Sequence, residues 1–299
     1  MSPSKIAPQL SHVLVFSLLW RGWAIVQGGR WQLTVSSATS GSLQVQGVRV
    51  SAMDNKIDPG CGTMLQIALK NDEGCAAQLC LNARQLKRFS SLAPKLIRIT
   101  NCRSAGRPEI ESFIDRIYRR CYGAEIQAHY ATILSVHRED NTILGALGFR
   151  FARQERLFLE QYLDAPVEQI LCNAYNEPVV RDTVTEIGNL ASLGGGASIF
   201  LFTALNAYLD QQGMKFSVIT GTTPIRRYFS ALGFNVQELA RADRSRLIGN
   251  GAAWGHYYDE DPRVIAGNVG QALSCLQKRL HLTLSASDAA SALEHSRDP

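Results

Sequence analysis

One stretch decides the fold of this chain: TVTEIGNLASLGGGASIFLFTALNAYLDQQG, residues Thr183–Gly213. Its first residues are β-branched in near alternation, which predicts a buried or half-buried strand. A glycine run, Gly194–Gly196, follows, and an apolar run of helical length begins near Ser198. A strand, a glycine-rich turn and a helix together offer bare backbone N–H groups and a positive helix end, which suit an anion.

Two polar residues lie inside the predicted strand, where a side chain needs a hydrogen-bonding partner or a chemical role. Glu186 can take a proton from a nucleophile, or it can be a structural carboxylate held by neighbouring N–H groups. Asn189 can donate to a carbonyl oxygen, or it can form a turn at the end of the strand. The sequence alone leaves both pairs of interpretations open.

The composition is that of an ordinary soluble globular protein with one or two domains. The chain has 299 residues, of which 45% are hydrophobic and 19% are charged, and its net charge is +5. Lys and Arg do not cluster as they do on a nucleic-acid-binding face, so we expect no nucleic-acid partner. The mild basicity suits an acidic small ligand or an acidic carrier protein, but random drift of surface charge is the explanation that we favour.

The cysteines and the N-terminal apolar run indicate a cytoplasmic protein. The seven cysteines show no close pairing and no zinc-ligand spacing, which predicts a reduced protein without a metal site. The run Val13–Trp20 is too short to span a bilayer, and no convincing cleavage site follows it near Arg21. We therefore expect no stable membrane insertion.

The patterning divides the chain into three parts. Residues 1–94 alternate short apolar pieces with Ser- and Gly-rich stretches, which suits either an extension or a small, poorly patterned module. Residues 95–282 alternate strands and helices, and residues 283–299 form a polar tail. The elements expected in the central part are a strand at 96–100, a helix at 109–122, hairpin strands at 131–137 and 143–151, a short apolar run at 157–163, a helix capped by Asp164 with Pro166 in its first turn, the strand and helix of 183–212, a strand at 215–222, a helix capped by Thr223 and ended by Gly233, a strand at 234–239 and a last helix at 264–280.

This order of elements resembles the GNAT-type acyltransferases and the related acyl-homoserine-lactone synthases. The resemblance is carried by the strand, glycine turn and helix at 183–212, by the strand at 216–220, and by the segment Tyr228–Phe234, YFSALGF. It implies an α+β fold, an α/β three-layer arrangement of GNAT type with a mixed central sheet.

Four motifs resemble the thermostable hemolysin family. They are Phe158–Asp164 (FLEQYLD), Glu186–Ala191 (EIGNLA), Trp254–Tyr258 (WGHYY) and Asp261–Val264 (DPRV), and the resemblance covers roughly residues 95–280. The family's name records a haemolytic phenotype, whereas its fold is similar to the acyltransferases. The resemblance implies transfer of an acyl group from a coenzyme A or acyl-carrier-protein thioester to a small amine-type acceptor, with no tightly bound cofactor.

The resemblance also implies roles for individual residues. The backbone of the glycine turn holds the donor's pyrophosphate, and residues of the strand before it act on the amine and on the acyl carbonyl. The catalytic candidates are Glu186, Asn189 and Tyr258, the donor-binding candidates are Gly194, Gly195, Gly196, Ala197, Ser198 and Arg226, and the substrate-binding candidates are Glu160, Tyr162 and Trp254. Structural alternatives are a simple tight turn for the glycines, a solvated Arg226 and core packing for Trp254.

The sequence departs from the acyltransferase pattern at one position. Many GNAT enzymes have a general-acid tyrosine where this chain has Phe229, and Tyr228 would point about 100° away around a helix. The loop residues His256, Tyr257 and Tyr258 can substitute for that tyrosine, or they can pack onto the core. Two other functions stay open: a membrane-active hemolysin, and a non-catalytic binder of acyl thioesters on the same fold.

Overall fold

The computed structural model describes residues 64–72, 74–126 and 130–286. The predictions for residues 1–63, including the apolar run Val13–Trp20, lie outside these residues. The same holds for the predicted tail beyond residue 286.

Ten strands form one mixed sheet in the described part of the chain. The strands are β1 Met64–Asn71, β2 Gly74–Asn82, β3 Leu96–Asn101, β4 Thr132–His137, β5 Ile143–Phe151, β6 Val184–Ser192, β7 Phe216–Gly221, β8 Val236–Arg241, β9 Arg263–Asn268 and β10 Thr283–Ala286. Their order across the sheet is β10-β2-β1-β3-β4-β5-β6-β7-β9-β8. The pairs β1–β3 and β6–β7 are parallel, and the other neighbours are antiparallel.

Helices cover both faces of this sheet. They are α1 Ala83–Leu86, α2 Arg107–Tyr122, α3 Val167–Tyr175, α4 Ala197–Gln211, α5 Thr223–Leu232 and α6 Val269–Leu280, with short 3₁₀ turns at Phe158–Tyr162, Arg181–Thr183, Arg244–Arg246, Ile248–Trp254 and Tyr257–Glu260. One buried cluster joins α4, α5 and α6 to one face of the sheet, and another joins α2 to the opposite face. The result is an α+β fold of three layers.

The helix of the decisive stretch, α4, is buried on all sides. Phe200, Phe202 and Leu205 point in different directions around it, and each is at most 1% exposed. A helix that is apolar all round needs neighbours all round, and α4 contacts both the sheet and α6. This packing fixes the position of the glycine turn at its N-terminus.

The predicted series of elements is confirmed from β3 to β8. Strand, helix, hairpin, helix, strand, helix, strand, helix and strand follow one another as the sequence indicates, with bounds shifted by a few residues. This series and the mixed sheet confirm the predicted GNAT-like α+β fold. The strand predicted from Thr183 runs on to Ser192, and α4 begins directly after Gly196.

The predicted last helix is wrong over its first part. Residues 263–268 form strand β9, and the helix begins at Val269. The apolar run Val264–Ala266 is buried because β9 lies between β7 and β8, and an uninterrupted apolar run fits a central strand as well as a helix. The side-chain oxygen of Asn268 then accepts the N–H of Gln271 at 2.9 Å and caps α6.

Two predicted helix caps are also wrong. The side chain of Asp164 does not cap α3, which begins after Pro166, and it pairs instead with Arg246. Thr222, rather than Thr223, is the N-cap residue of α5. In both cases the proline near the helix start holds the backbone without a side-chain cap.

The sheet crosses both predicted domain boundaries. Strands β1 and β2 precede residue 95, yet β1 pairs in parallel with β3. Strand β10 follows residue 282 and pairs with β2. The described residues of the first and last predicted parts therefore belong to the same sheet as the central part.

The glycine turn lies under the segment that links α1 to β3. The carbonyl oxygen of Gly195 accepts hydrogen bonds from the Ser90 hydroxyl at 2.8 Å and from the Ser91 N–H at 3.2 Å. Gly196 has a φ of +85°, and a Cβ there would lie 2.1 Å from the Phe89 carbonyl oxygen. Position 196 therefore requires glycine both for its backbone angle and for this close approach.

We expect Gly196→Ala to destabilise the protein more than Gly194→Ala. Both positions have a positive φ, +85° and +92°, but a Cβ at Gly194 would meet nothing within 4 Å. The shared backbone strain costs about 1 kcal/mol, and the contact with Phe89 adds roughly 1–3 kcal/mol in the first variant alone. Urea denaturation measures both; equal free energies of unfolding would contradict the packing of the turn.

Candidate active site

Strands β6 and β7 diverge after their first residues. Their parallel register ends where Ile187 lies opposite Ile219, although β6 continues to Ser192 and β7 to Gly221. A cavity opens between the diverging ends, with about 590 Å³ of empty space when the adjoining open solvent is included. Beyond the last pair the two strands no longer bond to each other, so backbone groups of β6 face the cavity.

A β-bulge bends the end of β6. The register between β5 and β6 shifts after Gly188, so that Asn189 and Leu190 together face a single residue of β5. Asn189 has a φ of +50°, in the left-handed region. Asn189 is buried and lines the cavity, so the bulge brings this predicted residue into the site.

Aromatic residues make up nearly half of the cavity lining. They are Tyr118, Tyr122, Tyr130, Phe158, Tyr162, Trp254 and Tyr257. Neighbouring rings contact each other, as Trp254 and Tyr257 do with their centroids 5.3 Å apart. The structure therefore brings the predicted Tyr162 and Trp254 into one site with Asn189.

The sequence reasoning missed most of this wall. Tyr118 and Tyr122 lie four residues apart on the buried face of α2, a spacing typical of core residues. Their hydroxyl groups were the one hint of a polar site on this face, because a buried tyrosine needs a hydrogen-bonding partner for its O–H. Tyr130 offered no signal, since it lies before β4 and outside any periodic pattern.

Glu186 is buried behind the cavity wall and is only 1% exposed. Its carboxylate accepts the N–H groups of Phe158 at 2.8 Å and of Leu159 at 3.0 Å. The Nε of Arg150 lies 3.3 Å from the same carboxylate. Glu186 therefore holds the 3₁₀ turn that carries Phe158 and Tyr162, while it does not itself line the cavity.

Burial raises the pKa of Glu186 to about 7. The guanidinium of Arg150, the N–H groups of Phe158 and Leu159, and the hydroxyl of Tyr130 all oppose this rise, because each favours the charged carboxylate. The carboxyl group therefore changes its charge near neutral pH. A pKa in that range suits a group that accepts and releases a proton in each turnover.

The sequence from residue 100 to residue 273 matches the family model described as thermostable hemolysin, which is more than half of the 299 residues. The chain belongs to the thermostable hemolysin family. The matched range contains every residue that lines the cavity. The site is therefore built within the part of the chain that defines this family.

Several solved structures are similar to this chain in backbone. TofI, in a ternary complex with an inhibitor and MTA, is 12% identical, with a TM-score of 0.42 over 60% of this chain and 96% of that chain. MesI, a CoA-dependent acyl-homoserine lactone synthase, is 15% identical, with a TM-score of 0.40 over 61% and 93%. FeeM, an N-acyl amino acid synthase from uncultured soil microbes, is 15% identical, with a TM-score of 0.41 over 60% and 98%. No curated protein matched the sequence.

The Trp-Gly-His-Tyr-Tyr motif of this thermostable hemolysin family member enters the site in two ways. Trp254 and Tyr257 line the cavity, and the Tyr257 hydroxyl donates to the Thr220 carbonyl oxygen at 2.9 Å. The predicted Tyr258 lies one step behind, with its hydroxyl oxygen 2.5 Å from that of Tyr162. Tyr258 therefore does not line the cavity itself, but its hydroxyl contacts that of Tyr162, which does.

Glu160 lies outside the cavity lining. Residues Phe158–Tyr162 form a 3₁₀ turn, so Glu160 and Tyr162 point in different directions, at about three residues per turn. One oxygen of Glu160 lies 2.6 Å from the Nη1 of Arg181, and the carboxylate also accepts the N–H of Val167 at 3.1 Å. These contacts join the turn to α3 and support Tyr162 from behind.

The donor-binding candidates lie apart from the cavity lining. The Nη2 of Arg226 lies 3.2 Å from the Oδ2 of Asp261, within an ion pair. Gly196, Ala197 and Ser198 are buried, and the segment 89–92 packs against the turn. A phosphate can therefore reach the N-terminus of α4 only if this segment moves.

Helix α5 presents neither of its adjacent aromatic residues to the cavity. Phe229 is in the core, and Tyr228 packs against Phe202 with the ring centroids 6.2 Å apart. His256 is exposed, and its Nδ1 lies 3.2 Å from the Oδ2 of Asp259. Of the substitutes considered for the missing acid, the structure places only Tyr257 in the cavity wall and Tyr258 next to it.

Residues 64–72, 74–126 and 130–286 contain no group of three His, Cys, Asp or Glu side chains arranged to hold a metal ion. Over the same residues, every helix is too short or too polar to cross a membrane. Free thiols in this part of the chain are Cys80, Cys102, Cys121, Cys172 and Cys275.

We expect Glu186 to make the free energy of unfolding fall as the pH rises from about 4.5 to about 7. The pKa of Glu186 is raised from 4.5 to about 7 on folding, so the folded chain binds more protons than the unfolded chain in this window. The full shift corresponds to about 3 kcal/mol.

Urea denaturation of the wild type and of Glu186→Gln across this pH range measures the effect. The difference between the two curves isolates Glu186, because His137 and the other titrating groups are common to both proteins. Parallel curves would contradict the raised pKa.

Proposed function

We propose that the protein is an acyltransferase, which moves an acyl group from a coenzyme A or acyl-carrier-protein thioester to a small amine-type acceptor. The observation that carries the proposal is the cavity between the diverging ends of β6 and β7. A cytoplasmic location, where both kinds of donor occur, is part of the proposal and agrees with the free thiols found among the described residues.

The open edge of β6 suits the pantetheine arm of the donor. This arm is an extended chain with amide groups, and such a chain binds a strand edge by adding hydrogen bonds to it. The edge begins at Gly188, directly after the last residue that pairs with β7. The arm therefore takes the place that β7 leaves empty.

The cavity wall suits the acyl group and its carbonyl. The cavity is bounded mainly by aromatic and aliphatic side chains with a few polar groups, and this kind of lining is typical of small-molecule sites. Asn189 reaches this space at the point where the strands part. Its amide can donate to the acyl oxygen as negative charge develops there during attack.

The donor's phosphate has one candidate cradle, the glycine turn before α4. The positive end of a helix and the N–H groups of Gly195 and Gly196 attract a phosphate, whereas the N–H of Gly194 already donates to the Ser192 Oγ at 3.1 Å. Ala197 and Ser198 complete the first turn. The cradle fits once residues 89–92 have moved. Arg226 contributes only if a phosphate displaces its ion pair with Asp261.

The acceptor meets the remaining residues of the site. Tyr162 and Trp254 provide an aromatic surface, Glu160 supports Tyr162 from outside the cavity, and Tyr258 supplies a second hydroxyl behind it. Glu186, with a pKa of about 7, accepts the proton that the amine loses.

We expect Leu190→Trp to abolish donor binding, because an indole at this half-buried position fills the space between β6 and β7. The wild type should show a thermal shift with octanoyl-CoA or octanoyl carrier protein, and the variant should show none. Ile248→Trp is the matched control, since Ile248 is 98% exposed.

Mass spectrometry of reactions with a panel of primary amines completes the test. A donor-dependent shift without any acylated amine would indicate a non-catalytic thioester binder. The absence of both shift and product would contradict the proposal, and dye release from liposomes by the protein alone would favour a membrane-active function instead.

A further inference from the structure

Tyr130 lies on the sheet at a place formed by two glycines. Gly148 of β5 and Gly188 of β6 are register partners. A Cβ at Gly148 would lie 2.6 Å from the Cγ of Tyr130, and a Cβ at Gly188 would lie 2.0 Å from its hydroxyl oxygen. The ring therefore extends from β5 to β6 directly against the backbone, which only a pair of glycines permits.

Two arginines hold Tyr130 in this position. Arg107, at the start of α2, is buried and donates to the carbonyl oxygens of Tyr130 and Ala131. The guanidinium of Arg150 lies over the Tyr130 ring, 4.3 Å from its centroid. A backbone anchor, a ring contact and a glycine floor fix the side chain, as a group that takes part in chemistry requires.

The hydroxyl of Tyr130 lies between the cavity and Glu186. Tyr130 lines the cavity, whereas Glu186 does not. Glu186 and Gly188 are two residues apart on β6 and share one face of the sheet, so a hydroxyl above Gly188 is next to the carboxylate. The hydroxyl is therefore near enough to interact with Glu186. A phenol has one proton to donate, and the lone pairs of its oxygen are left for the cavity.

We infer that Tyr130 is a catalytic residue, which accepts a hydrogen bond from the ammonium group of the acceptor and passes the proton on to Glu186. Glu186 acts through Tyr130 and stores the proton. The inference rests on the proposed function and names its acceptor class, a primary amine that binds as its ammonium ion.

The surroundings of the hydroxyl suit an ammonium group. Aromatic faces attract cations, and Tyr118 and Trp254 are among the rings around the space that Tyr130 faces. The described residues that line the cavity include no Lys or Arg. Behind the phenol, the guanidinium of Arg150 is paired with the carboxylates of both Glu155 and Glu186, so two negative charges there face one positive charge.

The proton balance follows from this arrangement. The ammonium gives one proton to the Tyr130 oxygen while Tyr130 gives its own proton to the Glu186 carboxylate. The free amine attacks the thioester carbon, the C–N bond forms, and the C–S bond breaks with its electron pair on sulfur. The second nitrogen proton goes to the thiolate, which leaves as a thiol, and Glu186 returns its proton to water.

Few titratable groups face this pair. Arg150 of β5 pairs with Glu186 and also with Glu155. Tyr162 lies near enough to interact with Glu186, and Tyr118, whose pKa burial also raises, interacts with Tyr130. Burial raises the pKa of Tyr130 and of Tyr162, so both phenols stay neutral near pH 7. Glu186 is therefore the group of this set whose charge changes near pH 7.

A first experiment measures amine binding without any donor. Hexylammonium and hexanol are titrated by calorimetry into the wild type, Tyr130→Phe and Tyr208→Phe. We expect the wild type to prefer hexylammonium, and Tyr130→Phe to bind it about tenfold more weakly. Tyr208→Phe should match the wild type, because Tyr208 packs against Phe149 outside the cavity lining. Equal hexylammonium affinity in the wild type and Tyr130→Phe overturns the inference.

A second experiment follows transfer from octanoyl-CoA to hexylamine. We expect Tyr130→Phe to bind octanoyl-CoA normally and to lower kcat about 100-fold. The wild-type kcat should rise with pH through about 7, the pKa of Glu186, and Glu186→Gln should lose that rise. The double variant should be no slower than the slower single variant, because the two residues act as a unit. Additive losses, or a wild-type kcat in Tyr130→Phe, overturn the inference.

Failure of the proposed function has a different signature. If hexylammonium binds in a Tyr130-dependent way while octanoyl-CoA neither binds nor reacts, acyl transfer is refuted and the amine site is supported. If octanoyl-CoA reacts equally fast in the wild type and in Tyr130→Phe, acyl transfer is supported and the role of Tyr130 is refuted.

Discussion

The bulge in β6 is the constraint on which the rest of the site depends. The extra residue lets β6 stay paired with β5 on one side while it leaves β7 on the other. The cavity, the free strand edge and the position of Asn189 all follow from this one departure from regular pairing. Strand β6 then ends in the glycine turn, which reverses the chain so that α4 packs back against the sheet.

Glu186 shows how a structural and a chemical task can share one side chain. Its two N–H contacts and the nearby Arg150 favour the carboxylate, whereas burial favours the neutral acid. Burial is only partly offset by these contacts, so the pKa of Glu186 lies near neutrality. Gly148 and Gly188 have no side chains to pack on that face of the sheet. The Tyr130 ring fills the space that this leaves, and its hydroxyl lies between the carboxyl group and the cavity.

The sequence predicted those parts of the fold and site that depend on local chemistry. Alternating β-branched residues, a glycine run and an apolar helix identified β6 and α4, and the polarity of Glu186 and Asn189 marked them against an apolar strand. The aromatic wall was not predictable in this way. Its members come from α2, from the 3₁₀ turns and from the residue before β4, and only tertiary packing brings them together.

Two other misses have equally specific causes. Strand β9 was taken for helix because the apolar run Val264–Ala266 has no period that separates a central strand from a buried helix. The importance of Gly148 and Gly188 depends on their being register partners, and pairing register cannot be read from either strand alone.

The pairing of β10 with β2 sets the order in which the sheet can be completed. Thr283 lies opposite Cys80, about 200 residues earlier in the chain, and contacts over such a distance form late because a long loop must close first. Until β10 has been synthesised, β2 presents an open edge to other chains. The nascent chain therefore carries an aggregation-prone edge at β2 until β10, the last of the described strands, joins the sheet.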